Sequence, residues 1–472
     1  MIHSFEFSVK TTGEVGRVEE AKDFLVKVSG LAHAKIGEGV TFETEEHGRV
    51  MAVGPDGVEV LLLSQNLMKP QTKVARTGSM LSISAGEGLL GHIINTLGHS
   101  LTSRRQKSHA PEKRAIEIAP SGISGRSRIS RFFETGVALS DLLIPLGYGQ
   151  RELIIGDRQS GKTHFLLQVV LSQVKLGRIV IYCLIGKRKS EIKFIDEFFE
   201  KHNITESTII VASDAQSSPG EIYLAPYTGM TLAEYFRDQG NDVLVIFDDL
   251  TTHAKYYREI ALLSGRFPGR ESYPGDIFHI HSKLLERAGN FKNSITCLPV
   301  ADTVGGDLTG YIQTNLMSMT DGHLYFDSDL YFQGKRPPIN IFLSVTRVGR
   351  QTQSSLYRDI GFQLVRFLKR YDDIQRFIRF DIELSTEIQE GIQRGKQLLI
   401  FFNQIGYTLI PISVQAYIIG LIWLDRFEEK DIERSVNNYE NKRTFKKSLD
   451  HICEKAKSME ELIKAVKNYV ND

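Results

Sequence analysis

Apolar and polar positions follow three successive regimes along the chain. Across residues 14–84 apolar side chains recur at every second position in short runs. Phe24, Val26 and Val28 are separated by charged or small neighbours, and VEVLLLS (58–64) reads as a buried strand. Turn-forming residues divide these runs at Gly37-Glu38-Gly39, His47-Gly48 and Pro55-Asp56-Gly57. Short strands at that spacing predict a small β-barrel or sandwich over residues 1–84.

From residue 85 the runs become continuous. RELIIG (151–156), RIVIYCLIG (178–186), STIIVAS (207–213), DVLVIFDD (242–249) and SITCLPV (294–300) are separated by longer helical stretches. Strands alternating with helices predict βαβ units and a mainly parallel sheet over residues 85–353. Beyond 353 the strands stop. LYRDIGFQLVRFLKRYDDIQRFIRF and EIQEGIQRGKQLLIFFNQ place apolar residues three and four apart, which predicts a helical bundle over 354–472. The expected class is multidomain α+β: an amino-terminal barrel, a central α/β domain and carboxy-terminal helices.

Composition changes little in this picture. The 472 residues are enough for about three domains. With 58 basic and 57 acidic side chains the formal net charge is +1, which argues against a strongly cationic nucleic-acid binder. Cys183, Cys297 and Cys453 are scattered, without metal-ligand spacing, and read as thiols of a reducing compartment. The first residues, MIHSFEFSVKTTGE, resemble neither a signal nor a transit peptide. The longest apolar stretch, residues 409–424, is interrupted by Pro411, Ser413 and Gln415. It falls short of the ~20 apolar residues of a membrane span, so a buried helix is expected.

The strongest chemical signal is Gly156-Asp157-Arg158-Gln159-Ser160-Gly161-Lys162-Thr163, which follows an apolar strand and opens a helical stretch. That is the setting of a phosphate-binding P-loop. Its glycines let backbone N–H groups turn toward phosphate oxygens, its lysine contacts the β/γ-phosphates, and its Thr163 hydroxyl ligates Mg²⁺. A carboxylate ending a later strand completes the metal side, and Asp248 of LVIFDD fits, with Asp249 beside it. Hydrolysis also requires a group that orients the attacking water. In hexameric P-loop motors a glutamate in a Gly-Glu-Arg turn after the next strand serves. Here that strand runs into Gly186-Lys187-Arg188, and a protonated lysine cannot act as the base. Glu191 could substitute only by a different backbone path. The nucleotide is expected to be bound and kept.

These residues resemble the alpha chains of F-type ATP synthases. GDRQSGKT is similar to their P-loop, DDLTTHAKYYREIALLSGRFPGRESYPGDIFHIHSKLLERA (248–288) to their long signature, and QTNLMSMTDGHLYFDSDLYFQGKRPPINIFLSVTRVG (313–349) to the region that follows. The resemblance implies a RecA-like core in a ring of three alpha and three beta chains. That ring surrounds a rotating gamma shaft and is held by a delta-type peripheral stalk. It implies that this chain holds Mg-ATP at a non-catalytic site. Arg347 would enter the partner beta chain's catalytic site, with Ser318 in the same interface, during proton-driven synthesis or hydrolysis. Gln159 would lie beside Lys162 against the phosphates, and Tyr331, Arg336, Pro337 and Gln404 would form the adenine side. Membrane contact would come only through the ion-conducting sector, at the cytoplasmic face of a bacterial membrane or the matrix or stromal face of an organelle.

The chain departs from that family at Lys187, where glutamine is usual, at Tyr331 for phenylalanine, and at Gly406 for a second glutamine. Its amino terminus is shorter, and FIRFDIEL replaces a glycine-containing segment. Three rival readings remain: a self-sufficient hexameric motor, a Rho-type RNA translocase, and an assembly chain that binds no nucleotide. The first lacks its carboxylate. The second would draw on the basic stretch SRRQKSHAPEKR (103–114), which carries no aromatics for base stacking. The intact P-loop opposes the third.

Overall fold

The computed structural model describes residues 4–102, 112–378 and 386–471. Most of the basic stretch (103–111) and of the FIRFDIEL segment (379–384) therefore lies outside the described residues. The chain forms two compact units. One comprises residues 1–127, 177–302 and 308–320, the other 128–176, 303–307 and 321–472.

The first unit opens with helix α1 (Phe5–Thr12), whose Ser4 cap accepts the Phe7 N–H. Six strands follow: β1 (Val15–Lys22), β2 (Leu25–Ser29), β3 (Glu38–Phe42), β4 (His47–Gly54), β5 (Gly57–Leu62) and β6 (Lys73–Met80). They close into a barrel in the order β1-β2-β5-β4-β3-β6. The alternation in the sequence is the cause, because Val18, Val26, Val28, Val40, Phe42, Val50, Val60 and Val74 are buried while their neighbours face outward or bond across strands. At the β4–β5 turn only glycine fits position 57. Its φ is +126°, and an added Cβ would sit 2.7 Å from the Val28 carbonyl oxygen.

The same unit carries five parallel strands in the order Ile93–Ile94, Thr208–Asp214, Ile179–Lys187, Val243–Asp248, Ser294–Thr303. Val180 to Ile185 are all buried, as expected for strands covered on both faces. Helix Pro219–Asp238 packs against them. It begins with a reciprocal cap in which Ser218 Oγ accepts the Glu221 N–H and the Glu221 carboxylate accepts the Ser218 N–H.

Beneath that helix lies a buried histidine pair. His253 Nε2 donates to the Tyr223 carbonyl at 3.0 Å, which leaves its Nδ1 to accept from His281 Nε2 at 3.0 Å. Burial lowers both basicities, His253 to about 4 and His281 well below its usual range. Both rings are thus neutral in the fold and protonate first in the unfolded chain. Their contribution is complete above the ordinary histidine value and falls as the pH drops through it. From His253 alone the unit should lose about 2 kcal/mol between pH 6.5 and 5. Urea unfolding followed by far-UV circular dichroism across that range measures this, and a flat profile would contradict neutral burial.

In the second unit, Glu152–Asp157 pairs in parallel with Gly322–Phe326, whose other edge pairs antiparallel with Val345–Thr346. The helices Ser355–Ile378, Thr386–Phe402, Ile412–Trp423, Lys430–Asn441, Arg443–Lys455 and Met459–Asn471 form the expected carboxy-terminal bundle. Its centre is Ile412–Trp423, with Val414, Ala416, Ile418, Ile419 and Ile422 buried and Val466 packed within 2.8 Å of where a Gly420 Cβ would stand. The polar break at Gln415 has its own reason. The Gln415 amide donates to Asp141 Oδ2 at 2.9 Å and to the Ile410 carbonyl at 2.7 Å, answering a fully buried carboxylate. Among the described residues no helix is long and apolar enough to cross a membrane.

Candidate nucleotide-binding site

The P-loop links the strand Glu152–Asp157 to the helix Lys162–Lys175. Gly156 stands in register with Phe326, so close that an added Cβ would lie 2.3 Å from the Phe326 carbonyl oxygen. Gln159 and Gly161 both have positive φ, +61° and +89°, which turns the loop back over the helix N-terminus. The Lys162 ammonium is buried and donates to the Gly156 and Asp157 carbonyls at 2.7 and 2.6 Å. Asp157 anchors the loop from below. It accepts from Thr303 Oγ1 at 2.5 Å, the Gly306 N–H at 3.0 Å and Ser328 Oγ at 3.3 Å. Although burial works against its charge, these bonds and Lys162 hold its carboxyl below the ordinary range. Ser160 Oγ is buried and has no partner among the described residues. An orphaned hydroxyl, a helix start without a side-chain cap and a lysine held by carbonyls suit a polyphosphate. The Thr163 side chain is exposed.

Tyr331, Arg336, Pro337 and Gln404 lie in the same unit as the P-loop. The Arg336 guanidinium carbon sits 3.7 Å from the Tyr331 ring centre, and its Nη1 donates to the Tyr331 carbonyl at 2.9 Å. Tyr331 and Pro338 crowd Gly161, at 3.6 and 3.3 Å from an added Cβ. Gln404 is buried with its amide committed to backbone: it accepts the Ala138 N–H at 2.6 Å and donates to Gly136 and Thr408 carbonyls at 3.0 and 3.1 Å. Its side chain fastens the loop that carries it. At Gly406 the backbone carbonyl accepts from His164 Nε2 at 2.7 Å, and the His164 ring packs at a tilt against Tyr407, ring centres 4.4 Å apart. Sequence reasoning passed over Thr303, Gly306, Ser328 and His164. The Gly305-Gly306 pair directly after a strand was the available signal.

Asp248 belongs to the other unit, at the end of its strand. Asp248 Oδ2 accepts from Tyr182 at 3.1 Å, and Oδ1 lies 2.6 Å from the Lys187 ammonium. Lys187 also donates to Asp249 Oδ2 at 3.0 Å, while Asp249 caps the next helix by accepting the Thr252 N–H at 2.6 Å. Burial disfavours the charge on Lys187, but the two carboxylates outweigh it and keep the ammonium protonated far above neutral pH. The Glu191 carboxylate accepts the Arg188 N–H at 2.9 Å as part of a helix cap.

Arg347 follows the edge strand Val345–Thr346. Its backbone N–H donates to the Asp321 carbonyl at 3.0 Å, and its exposed guanidinium has no partner among the described residues. Nearby, burial pushes the Glu152 carboxyl well up, against a Gln150 hydrogen bond and the Arg347 charge. Ser318 is exposed near the end of the helix Tyr311–Met319 in the other unit, with its hydroxyl donating to the Asn315 carbonyl at 2.7 Å.

Residues 136–346 match the nucleotide-binding domain of the ATP synthase alpha/beta family. An ATP synthase subunit alpha of Caldanaerobacter subterraneus is 38% identical over 440 residues, spanning 92% of this chain and 86% of that protein. The subunits of the same name from Clostridium acetobutylicum and Clostridium kluyveri are 36% and 35% identical, over 92% and 89% of this chain and 86% and 84% of theirs.

Proposed function

The chain belongs to the ATP synthase alpha-subunit family, and from that premise we propose that it binds Mg-ATP without hydrolysing it and lends Arg347 to the catalytic site of an adjacent beta subunit. The observation that carries the reading is Lys187. At the position where a water-orienting carboxylate would stand, this chain has an ammonium bridging Asp248 and Asp249, and the nearest glutamate is tied up as a helix cap. The residues present bind well and activate water poorly.

In this reading the P-loop amides, Ser160 and Lys162 receive the phosphates, and Gln159 lies against them. Thr163 would supply a hydroxyl to Mg²⁺, and Asp248 is the carboxylate that the motif assigns to the metal. Bound Mg²⁺ would supply charge neutralisation at the phosphates. Tyr331, Arg336 and Pro337 offer an aromatic and planar surface for adenine, and Gln404 holds that surface in place. The chain would alternate with beta subunits in a ring of six, around a gamma shaft and under a delta-type stalk subunit. It would lie against an energy-coupling membrane and meet the bilayer only through the ion-conducting sector. Arg347 fits the donated role because it is exposed, unpaired among the described residues and fixed by its backbone.

The purified full-length chain should retain ATP and turn it over negligibly. Lys162→Ala should weaken ATP binding about 10- to 100-fold, the worth of one charge-assisted contact. Equilibrium binding and a steady-state hydrolysis assay read both. Brisk hydrolysis by the chain without a partner would show it to be a self-sufficient motor instead.

A further inference from the structure

Beside the start of the P-loop helix, four half-buried side chains of the same unit gather in two pairs. The Arg336 guanidinium lies over the Tyr331 ring, and the His164 ring packs against Tyr407. Burial lowers the basicity of His164 against its bond to Gly406, and the Arg336 charge lowers it further, so the two pairs lie within electrostatic reach of each other. Rings and a planar cation offer faces, and every base has a face to lay on them. Edges are another matter. Telling adenine from guanine takes a hydrogen-bonding group aimed at the base edge, where one purine carries an amino group and the other a carbonyl oxygen. Gln404 carries the right chemistry, a carboxamide, but it is buried and spent. Both its amide hydrogens go to the Gly136 and Thr408 carbonyls, and its oxygen holds the Ala138 N–H. Gly406 brings no side chain. Its carbonyl accepts from two side chains of the P-loop helix, His164 Nε2 at 2.7 Å and Gln168 Nε2 at 3.2 Å, which stand four residues apart on one helix face. A carbonyl oxygen has two lone pairs, and both are taken.

We propose that this site grips the base by its faces, with the His164–Tyr407 pair as one wall, and takes Mg-GTP about as well as Mg-ATP. This rests on the reading of the P-loop as an ATP site and names the class of nucleotide it accepts: purine nucleoside triphosphates of either kind. The contrast is quantitative. A site built to hydrogen-bond one group rejects an analogue lacking it by about 10⁴-fold, because its own buried polar groups are left unpaired. Where those groups are already paired within the chain, a different edge on the ligand strands nothing. The phosphates then supply the affinity common to both nucleotides, and face contact with the base adds about tenfold.

The test is calorimetric titration of the nucleotide-free full-length chain with Mg-ATP, Mg-GTP and Mg-tripolyphosphate, for the native protein, His164→Ala and His164→Phe. The native chain should bind ATP and GTP with affinities less than about tenfold apart. His164→Ala should weaken both nucleotides about tenfold and alike, and leave tripolyphosphate within about twofold, which also shows that the P-loop is folded. His164→Phe keeps a ring without the donor and should hold both nucleotides within about threefold of native. A preference of the native chain for ATP of tenfold or more would overturn the proposal, and that comparison needs no variant to fold. An equal loss of tripolyphosphate in His164→Ala would also overturn it, since the ring would then be bracing the loop and not the base. Either result leaves the ATP-site reading standing. A native chain that binds none of the three ligands would overturn that reading and this proposal with it.

Discussion

Arg347→Ala should lower steady-state ATP hydrolysis by the reconstituted complex about 10³- to 10⁵-fold, while this chain keeps its own nucleotide. The expectation follows from where charge is needed. Phosphoryl transfer spreads negative charge over the equatorial oxygens, and a guanidinium placed there stabilises the transition state more than the bound substrate. Arg347 has no competing partner among the described residues, and its backbone is tied to Asp321 beside the edge strand. Removing the side chain should therefore leave the fold intact. The milder substitution Arg347→Lys should recover only a fraction of the rate, because a point charge lacks the planar fork. Paired assays of hydrolysis and of nucleotide bound to the isolated subunit separate the effects. A complex that hydrolyses at the native rate with alanine at this position would remove the residue from the catalytic site.

What could be read beforehand tracks how local the physical cause is. The barrel and the parallel strands declared themselves because burial on one face forces alternation and burial on both forces continuous runs, as in Val26–Val28 and Val180–Ile185. The buried helix Ile412–Trp423 was legible from its length and its polar breaks. The reason for Gln415 was not, because its partner Asp141 lies 274 residues away. The same holds at the candidate site. The P-loop is a contiguous motif, so its strand, turn and helix could be placed together. Lys187 could be noticed as a charge where a neutral side chain is usual, but its grip on Asp248 and Asp249 depends on which strands are neighbours. Gln404 is the opposite case. Its position pointed to adenine, and the structure shows its amide wholly engaged with Gly136, Ala138 and Thr408. Long-range hydrogen bonds carry no periodicity, so nothing in the order of residues announces them.

Arg287 shows how a residue inside the most recognisable stretch of the sequence can serve burial alone, and it sets the second large expected effect. Its side chain is 1% exposed, yet every donor group is answered. Nε and Nη2 grip the two oxygens of Glu234 at 3.0 and 2.7 Å, Nη1 donates to the Ile116 carbonyl at 2.8 Å, and Nη2 also meets Thr231 Oγ1 at 2.9 Å. Arg287→Ala leaves Glu234 as a buried charge without its partner and takes one of two donors from the Ile116 carbonyl, which keeps the Thr231 hydroxyl at 3.1 Å. Breaking such a pair from one side costs about 3–5 kcal/mol. Removing both charges is a different experiment. A double variant, Arg287→Met with Glu234→Leu, has no orphaned charge and should recover most of that loss, because the desolvation penalty of both ions disappears with them. Denaturant midpoints of the single and double variants decide the matter. If the double variant is as unstable as Arg287→Ala, the pair is held for its contacts to Ile116 and Thr231 rather than for its charges.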